Sequence, residues 1–123
     1  MKITAFNPLI VTKDAQSAVK LFEELGFEHR HTKTGINDDV TSFDMKNPDG
    51  FRVDVAQVDQ MPQDMTAIRM NVRDFDEAYQ FLIDHGFKNA QGEKVTDTGS
   101  SKATLMVSPS GFAISLAEHI RKE

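Results

Sequence analysis

The sequence contains no cysteine and no tryptophan. Without a thiol there can be no disulfide, no thiolate nucleophile, no zinc ribbon and no iron–sulfur ligation. Long hydrophobic runs are also missing. Nothing approaches the roughly 18 apolar residues of a membrane span, and the opening Met1-Lys2-Ile3-Thr4-Ala5-Phe6-Asn7-Pro8 lacks the apolar stretch of a signal peptide. The expectation is a cytoplasmic protein with no membrane partner. Positive charge is in deficit: 14 Lys and Arg stand against 19 Asp and Glu, a net charge of −5 with a pI near 5.3. A phosphate-backbone binder needs a positive face, so nucleic acid is not an expected partner. With 39% hydrophobic and 27% charged residues, the 123-residue chain matches a soluble globule of one domain.

Two helices are legible from their start and stop chemistry. Over Asp14 to Leu25 the apolar residues Ala15, Ala18, Val19, Leu21, Phe22 and Leu25 recur at steps of three and four, and Gly26 terminates the run. The plan returns over Asp74 to His85, where Asp74 and Glu77 have capping-box spacing, Ala78, Phe81 and Leu82 form the stripe, and Gly86 ends it. His85 sits in the last turn, where a cation complements the helix dipole. These landmarks expose an internal duplication. Asp14 and Asp74, Ala18 and Ala78, Gly26 and Gly86, and Phe27 and Phe87 are each 60 positions apart. Asn47-Pro48-Asp49-Gly50 and Ser108-Pro109-Ser110-Gly111 follow at 61, each suited to a type I turn between antiparallel strands.

Each half then reads strand, helix and three-strand meander, with modules at 1–60 and 61–123 of a single domain. The strands are expected at Ile3 to Thr12, Phe27 to Lys33, Asp38 to Lys46, Phe51 to Val58, Met65 to Val72, a weak one near Asn89 to Thr96, Lys102 to Ser108, and Phe112 to Ala117. The fold class is α+β, two tandem βαβββ modules. Period-two alternation puts Phe51, Val53, Val55, Ile68, Met70, Val72, Phe112, Ile114 and Leu116 on a core face. The opposite face carries Arg52, Asp54, Ala56, Met65, Ala67, Arg69, Asn71, Ala113, Ser115 and Ala117. A merely solvated face would carry more Lys, Glu and Thr, so this mixture of small residues with a few polar ones fits a cavity wall. Phe43 and Met45 suit either face.

The paired modules, the Asp opening each helix, Leu25-Gly26-Phe27 and His85-Gly86-Phe87 closing them, and the Pro-x-Gly turn before each last strand resemble the vicinal oxygen chelate superfamily. It includes glyoxalase I, extradiol dioxygenases, fosfomycin resistance enzymes and bleomycin resistance proteins. The resemblance covers nearly the whole chain. It implies a glyoxalase/bleomycin-resistance-type fold and a homodimer. In metal-dependent members each module supplies two ligands, one seven residues before the helix-opening Asp and one four residues after the turn Gly. Those positions here are Asn7, Ala67, Asp54 and Ser115, where the pattern calls for His or Glu. Only Asp54 is a good ligand, so the superfamily's metal chemistry is expected to be missing and no cofactor is expected. A one-residue slip to Phe6, Pro8, Thr66 or Ile68 restores no ligand.

Other chemistry is thinner. His29 and His31 stand two apart on a strand and could hold a metal with one further ligand, but the surrounding Glu28-His29-Arg30-His31-Thr32-Lys33 also reads as a polar edge strand. His119 falls in an expected frayed tail over Glu118 to Glu123. No serine sits in a G-x-S-x-G elbow. Gly99-Ser100-Ser101-Lys102 lacks the first Gly and the spacing of a P-loop and reads as a loop before a strand. Asp38-Asp39, after Gly35-Ile36-Asn37, reads as hairpin turn chemistry and not as a calcium loop.

What remains is Asn7, Arg52, Asp54, Arg69, Asn71 and Ser115 on the proposed cavity face. An arginine there can hold a carboxylate or phosphate bidentately, oriented by a nearby Asp; equally, an Arg–Asp pair can simply fill a vestigial metal site. Two functions follow. The first is a metal-independent small-molecule binder with these residues as anchors. The second is a glyoxalase-like lyase or other metal-assisted enzyme with a reduced metal site at Asp54.

Overall fold

The computed structural model describes residues 1–34, 41–97 and 101–119, with the backbone alone at 31–34 and 119. Its elements follow the βαβββ order twice. They are β1 (Ile3–Thr12), α1 (Ala15–Glu24), β2 (Glu28–Thr34), β3 (Thr41–Lys46), β4 (Arg52–Gln57), β5 (Met65–Val72), α2 (Phe75–Asp84), β6 (Lys88–Asn89), β7 (Thr96–Asp97), β8 (Ser101–Val107) and β9 (Ala113–His119). The chain is mixed α+β. It divides into two compact units, Asn7–Thr66 and Met1–Phe6 with Ala67–Glu123. The hairpin turn expected at Asp38-Asp39 and the residues Gly99 and Ser100 lie outside the described residues.

In the unit of residues 7–66 the strand order is β2-β3-β4-β1, antiparallel except that β4 and β1 run parallel with Leu9 opposite Asp54. Phe43 stands opposite Val55 and Met45 opposite Val53, so both belong to the core face, where Val53, Val55 and Met45 are buried. In the other unit the order is β5-β9-β8-β6, with β7 also on β8 and β5 parallel to β9. Met70, Val72, Phe75, Ala78, Leu82, Met106, Ile114 and Leu116 make its core, an α2 stripe packed on alternate residues of three strands.

Phe51 and Phe112 depart from the expected core face, being 66% and 52% exposed. Each precedes the first residue of its strand, so the alternation that buries Val53 and Ile114 does not yet bind it. Both close the preceding turn through their backbone. The Phe51 N–H donates to Asn47 Oδ1 (2.8 Å) and the Phe112 N–H to Ser108 Oγ (3.0 Å), while Gly50 and Gly111 close the i to i+3 bonds. The weak strand over Asn89 to Thr96 is also corrected: β6 and β7 are two residues each, separated by a turn.

Both helices start on the expected aspartates, with Asp14 accepting from the Ser17 N–H and Asp74 from the Glu77 N–H. The capping box at Asp74 is only half made, because the Glu77 carboxylate pairs with the Met1 ammonium at 3.1 Å. A second cap, unseen in the sequence, comes from the last strand of each module. Gln57 Oε1 accepts the Ala15 N–H (2.8 Å), and Glu118 Oε1 accepts the Phe75 N–H (2.6 Å). The two residues are 61 apart. Glu118 therefore lies in β9 and not in a frayed tail, and its charge suits a helix N-terminus.

The Asp14 carboxyl is held below the ordinary aspartate value, chiefly by the Ser17 hydroxyl at 2.7 Å and then by the Ser17 N–H. A lowered folded-state value means that ionised Asp14 adds stability above the ordinary carboxylate range and loses it as pH falls below about 4. Asp14→Asn keeps a cap without the charge. The stability gap between wild type and Asp14→Asn should accordingly narrow in urea melts taken from pH 6 down to pH 3; a gap independent of pH would contradict this.

Candidate functional site

Within each unit the face opposite the core is largely shielded from solvent. Asp54 is 4% and Arg69 9% exposed, and Ala56, Ala67, Ala113 and Ala117 are buried with them. Charged side chains are rarely this buried unless engaged, and Asp44, Asp54 and Arg69 all are.

Within residues 7–66, β1 and β4 bring Asn7 and Asp54 together. Asp54 stands opposite Leu9, and Asn7, two residues before Leu9, shares that face. Asn7 Nδ2 donates to Asp54 Oδ2 at 3.1 Å and to the Pro8 carbonyl at 3.0 Å. On β3, Asp44 lies directly opposite Asp54 and Ser42 opposite Ala56, extending the polar row. Ser42 is buried, and its hydroxyl has no hydrogen-bond partner among the described residues. Neither Ser42 nor Asp44 was singled out in the sequence; their placement depends on the β3–β4 register, which one-strand alternation does not supply. Arg52, the first residue of β4, is exposed.

In the second unit, Arg69 stands opposite Ser115 and Asn71 opposite Ala117 on the β5–β9 pair. Arg69, Asn71 and Ser115 therefore share one face. Asn71 Oδ1 is a buried acceptor with no hydrogen-bond partner among the described residues.

The two-apart reading of His29 and His31 is corrected by a β-bulge. His29 pairs with Met45 and His31 with Asp44, one residue of β3 against two of β2, which breaks the alternation that would align them. The His29 ring lies 5.7 Å from that of Phe43. A shallow open groove of about 490 Å³ is lined by Lys13, Asp59, Gln60, Met61 and Pro62. None of the six candidate residues lines it.

No protein-family model matches the sequence, and no curated protein matches it. Solved structures give the informative comparison. Methylmalonyl-CoA epimerase from Mycobacterium tuberculosis superposes with a TM-score of 0.74 at 15% identity, over 97% of this chain and 90% of that one. Methylmalonyl-CoA epimerase from Streptomyces coelicolor in complex with 2-nitronate-propionyl-CoA gives 0.70 at 15% identity, over 98% and 100%. A glyoxalase I variant from Zea mays gives 0.70 at 14% identity, over 98% of this chain and 45% of that one. Both enzymes are members of the vicinal oxygen chelate superfamily. The chain has the vicinal oxygen chelate fold.

Within the vicinal oxygen chelate fold, the residues at the metal-ligand positions of this chain do not fit a metal. Ala67 offers a methyl group and Ser115 a neutral hydroxyl. The Asn7 amide turns its N–H₂ toward Asp54, and because both its neighbours are acceptors that orientation is fixed by hydrogen bonding. Among the described residues no three His, Asp or Glu side chains come together as a metal site. No helix among them is long and apolar enough to cross a membrane.

Proposed function

We propose that the chain is a metal-independent small-molecule-binding protein of the glyoxalase and bleomycin-resistance type, cytoplasmic and homodimeric. The observation that supports it most is the buried polar set on faces lined mainly by alanine. In the second unit Arg69 carries a planar fork of donors, and those beyond the contact it already makes suit a carboxylate or phosphate. Ser115 adds a hydroxyl beside it, and the Asn71 acceptor would take a donor from the ligand. The favoured ligand is thus a small anion that also carries an N–H or O–H.

The second reading is a glyoxalase-like lyase or other metal-assisted enzyme with a reduced metal site at Asp54. Structural likeness to the epimerases and to glyoxalase I favours it.

A thermal-shift screen of metal-free protein against hydroxycarboxylates, phosphonates, coenzyme A thioesters and cationic glycopeptides tests the first reading. A ligand at a hundredfold excess over its Kd should stabilise the fold by about 2.7 kcal/mol. Arg69→Lys and Asn71→Ala should each weaken binding about tenfold or more, as loss of a buried ligand hydrogen bond does. A flat screen would overturn the binder, and deuterium exchange into methylmalonyl-CoA would favour the enzyme.

A further inference from the structure

The metal-ligand frame of the first module is a pair of positions on two parallel neighbours, residue 7 on β1 and residue 54 on β4. We infer that Asn7 and Asp54 form a hydrogen-bonded clamp between those strands that takes the place of the first module's ligand pair, so that this half of the frame is held by an amide–carboxylate bond and admits no divalent ion. The inference rests on the metal-independent reading and gives it a structural cause.

Burial is the first support. Asn7 is 7% exposed and Asp54 4%, so their contact is shielded from the competing water that weakens polar bonds at a surface. Directionality is the second. The Asn7 amide nitrogen is committed twice, to Asp54 Oδ2 and to the Pro8 carbonyl, so Asp54 faces N–H hydrogens from residue 7. A metal ion beside Asp54 would need a lone pair from its neighbour, and an amide N–H₂ has none to give. Rotating the amide to present its carbonyl would leave Pro8 facing an oxygen.

Donor chemistry is the third. Zinc and its neighbours take three or four imidazole, carboxylate or thiolate ligands, and calcium takes six to eight oxygens. The four frame positions offer one carboxylate, one amide turned the wrong way, one hydroxyl and one methyl. An N–H bonded to a carboxylate is charge-assisted and stronger than a neutral bond. Such a bond across β1 and β4 also fixes their register where the parallel ladder ends: the paired rungs begin at Leu9 and Asp54, and Asn7 lies just beyond them.

The test is a double-mutant cycle joined to a metal titration on the full chain, purified without a histidine tag. Urea unfolding of wild type, Asn7→Ala, Asp54→Ala and the double variant should show a coupling of at least about fivefold in the unfolding equilibrium constant. If the alanine variants do not fold, the cycle of Asn7→Leu with Asp54→Leu, which keeps the side-chain volume and removes both polar groups, reads the coupling. Incubated with Zn, Ni, Mn or Mg and then desalted, the wild type should retain less than about 0.1 equivalent of metal and show no thermal shift, as a frame with one carboxylate among its four positions predicts. Strictly additive variants would overturn the clamp while leaving the metal-independent binder standing. Stoichiometric metal on wild type, lost on Asp54→Asn, would overturn both.

Discussion

Gly86→Ala should destabilise the fold by about 2 to 5 kcal/mol, whereas Gly26→Ala, at the same place in the first module, should cost about 1 to 2 kcal/mol. The two glycines follow α2 and α1 and have nearly the same backbone, φ 89° and 101°. A side chain at such a positive φ is strained in both cases, and that shared strain sets the smaller figure. The difference lies in what the new methyl group would meet. A Cβ on Gly26 has nothing within 4 Å, while one on Gly86 lands 2.8 Å from Pro109 Cγ. Pro109 sits in the turn between β8 and β9, and its ring cannot rotate aside, so turn or helix end must shift. The thermal midpoint of Gly86→Ala should fall by roughly 10 °C, several degrees further than that of Gly26→Ala. Equal losses in the two variants would show that the turn yields without cost.

That asymmetry marks where sequence reading succeeds and where it stops. The capping aspartates and the terminating glycines, which recur at 60 residues, are local signals, each acting within about four residues of chain, and the helices form on them. Met65 to Val72 and Ile3 to Thr12 are strands with the expected bounds, each ending two residues before a helix-capping aspartate. The contact of Gly86 with Pro109 joins segments 23 residues apart, and no local pattern encodes it. The same applies to Gln57 and Glu118. They repeat at the spacing of the turns, yet their role as caps depends on how the last strand of each module passes the helix start. Phe51 and Phe112 leave the core face because alternation ends one residue short of them, at positions governed by the turn. The bulge between His29 and His31 is invisible in a run of polar residues, since no buried face fixes its register.

The site divides in the same way. Alternation put Asp54, Arg69 and Ser115 on the face opposite the core, and the strand pairings agree. It could not reveal that Asn7 turns its amide hydrogens toward Asp54, or that Ser42 and Asp44 join the row. These depend on which rungs of neighbouring strands meet. Arg52 shares the alternation of Asp54 but stands at the strand's first residue, where exposure follows from position and not from pattern.

Asn89→Ala should be the other severe substitution, at about 2 to 4 kcal/mol, because one buried amide there organises the whole segment that replaces the expected weak strand. Asn89 Oδ1 accepts from the Gln91 N–H (2.9 Å) and from the Thr104 hydroxyl (2.8 Å), while Nδ2 donates to the Lys94 carbonyl (3.0 Å) and lies 3.4 Å from the Tyr79 hydroxyl. The side chain thus ties both ends of the turn to β8 and to α2. Truncation leaves buried donors and acceptors without their partner, each worth about 1 to 3 kcal/mol, softened because Thr104 retains the Lys94 carbonyl at 3.3 Å. Asn89→Asp is the informative companion. It keeps the acceptor toward Gln91 and Thr104 but sets a carboxylate oxygen against the Lys94 carbonyl, so it should destabilise at least as much as alanine. Thr104→Val removes a single hydroxyl and should cost only about 1 to 2 kcal/mol. Urea melts give the three values, and hydrogen exchange at the Gln91 and Lys94 amides should accelerate in Asn89→Ala before the core exchanges. A loss below about 0.5 kcal/mol would mean that the turn's own backbone bonds suffice. The counterpart of Asn89 sixty residues earlier is His29, so the amide that builds this network is replaced there by an imidazole, whose ring lies 5.7 Å from that of Phe43. The caps and turns recur in both halves, while the second residue of the strand after the helix is an imidazole in one and an amide in the other.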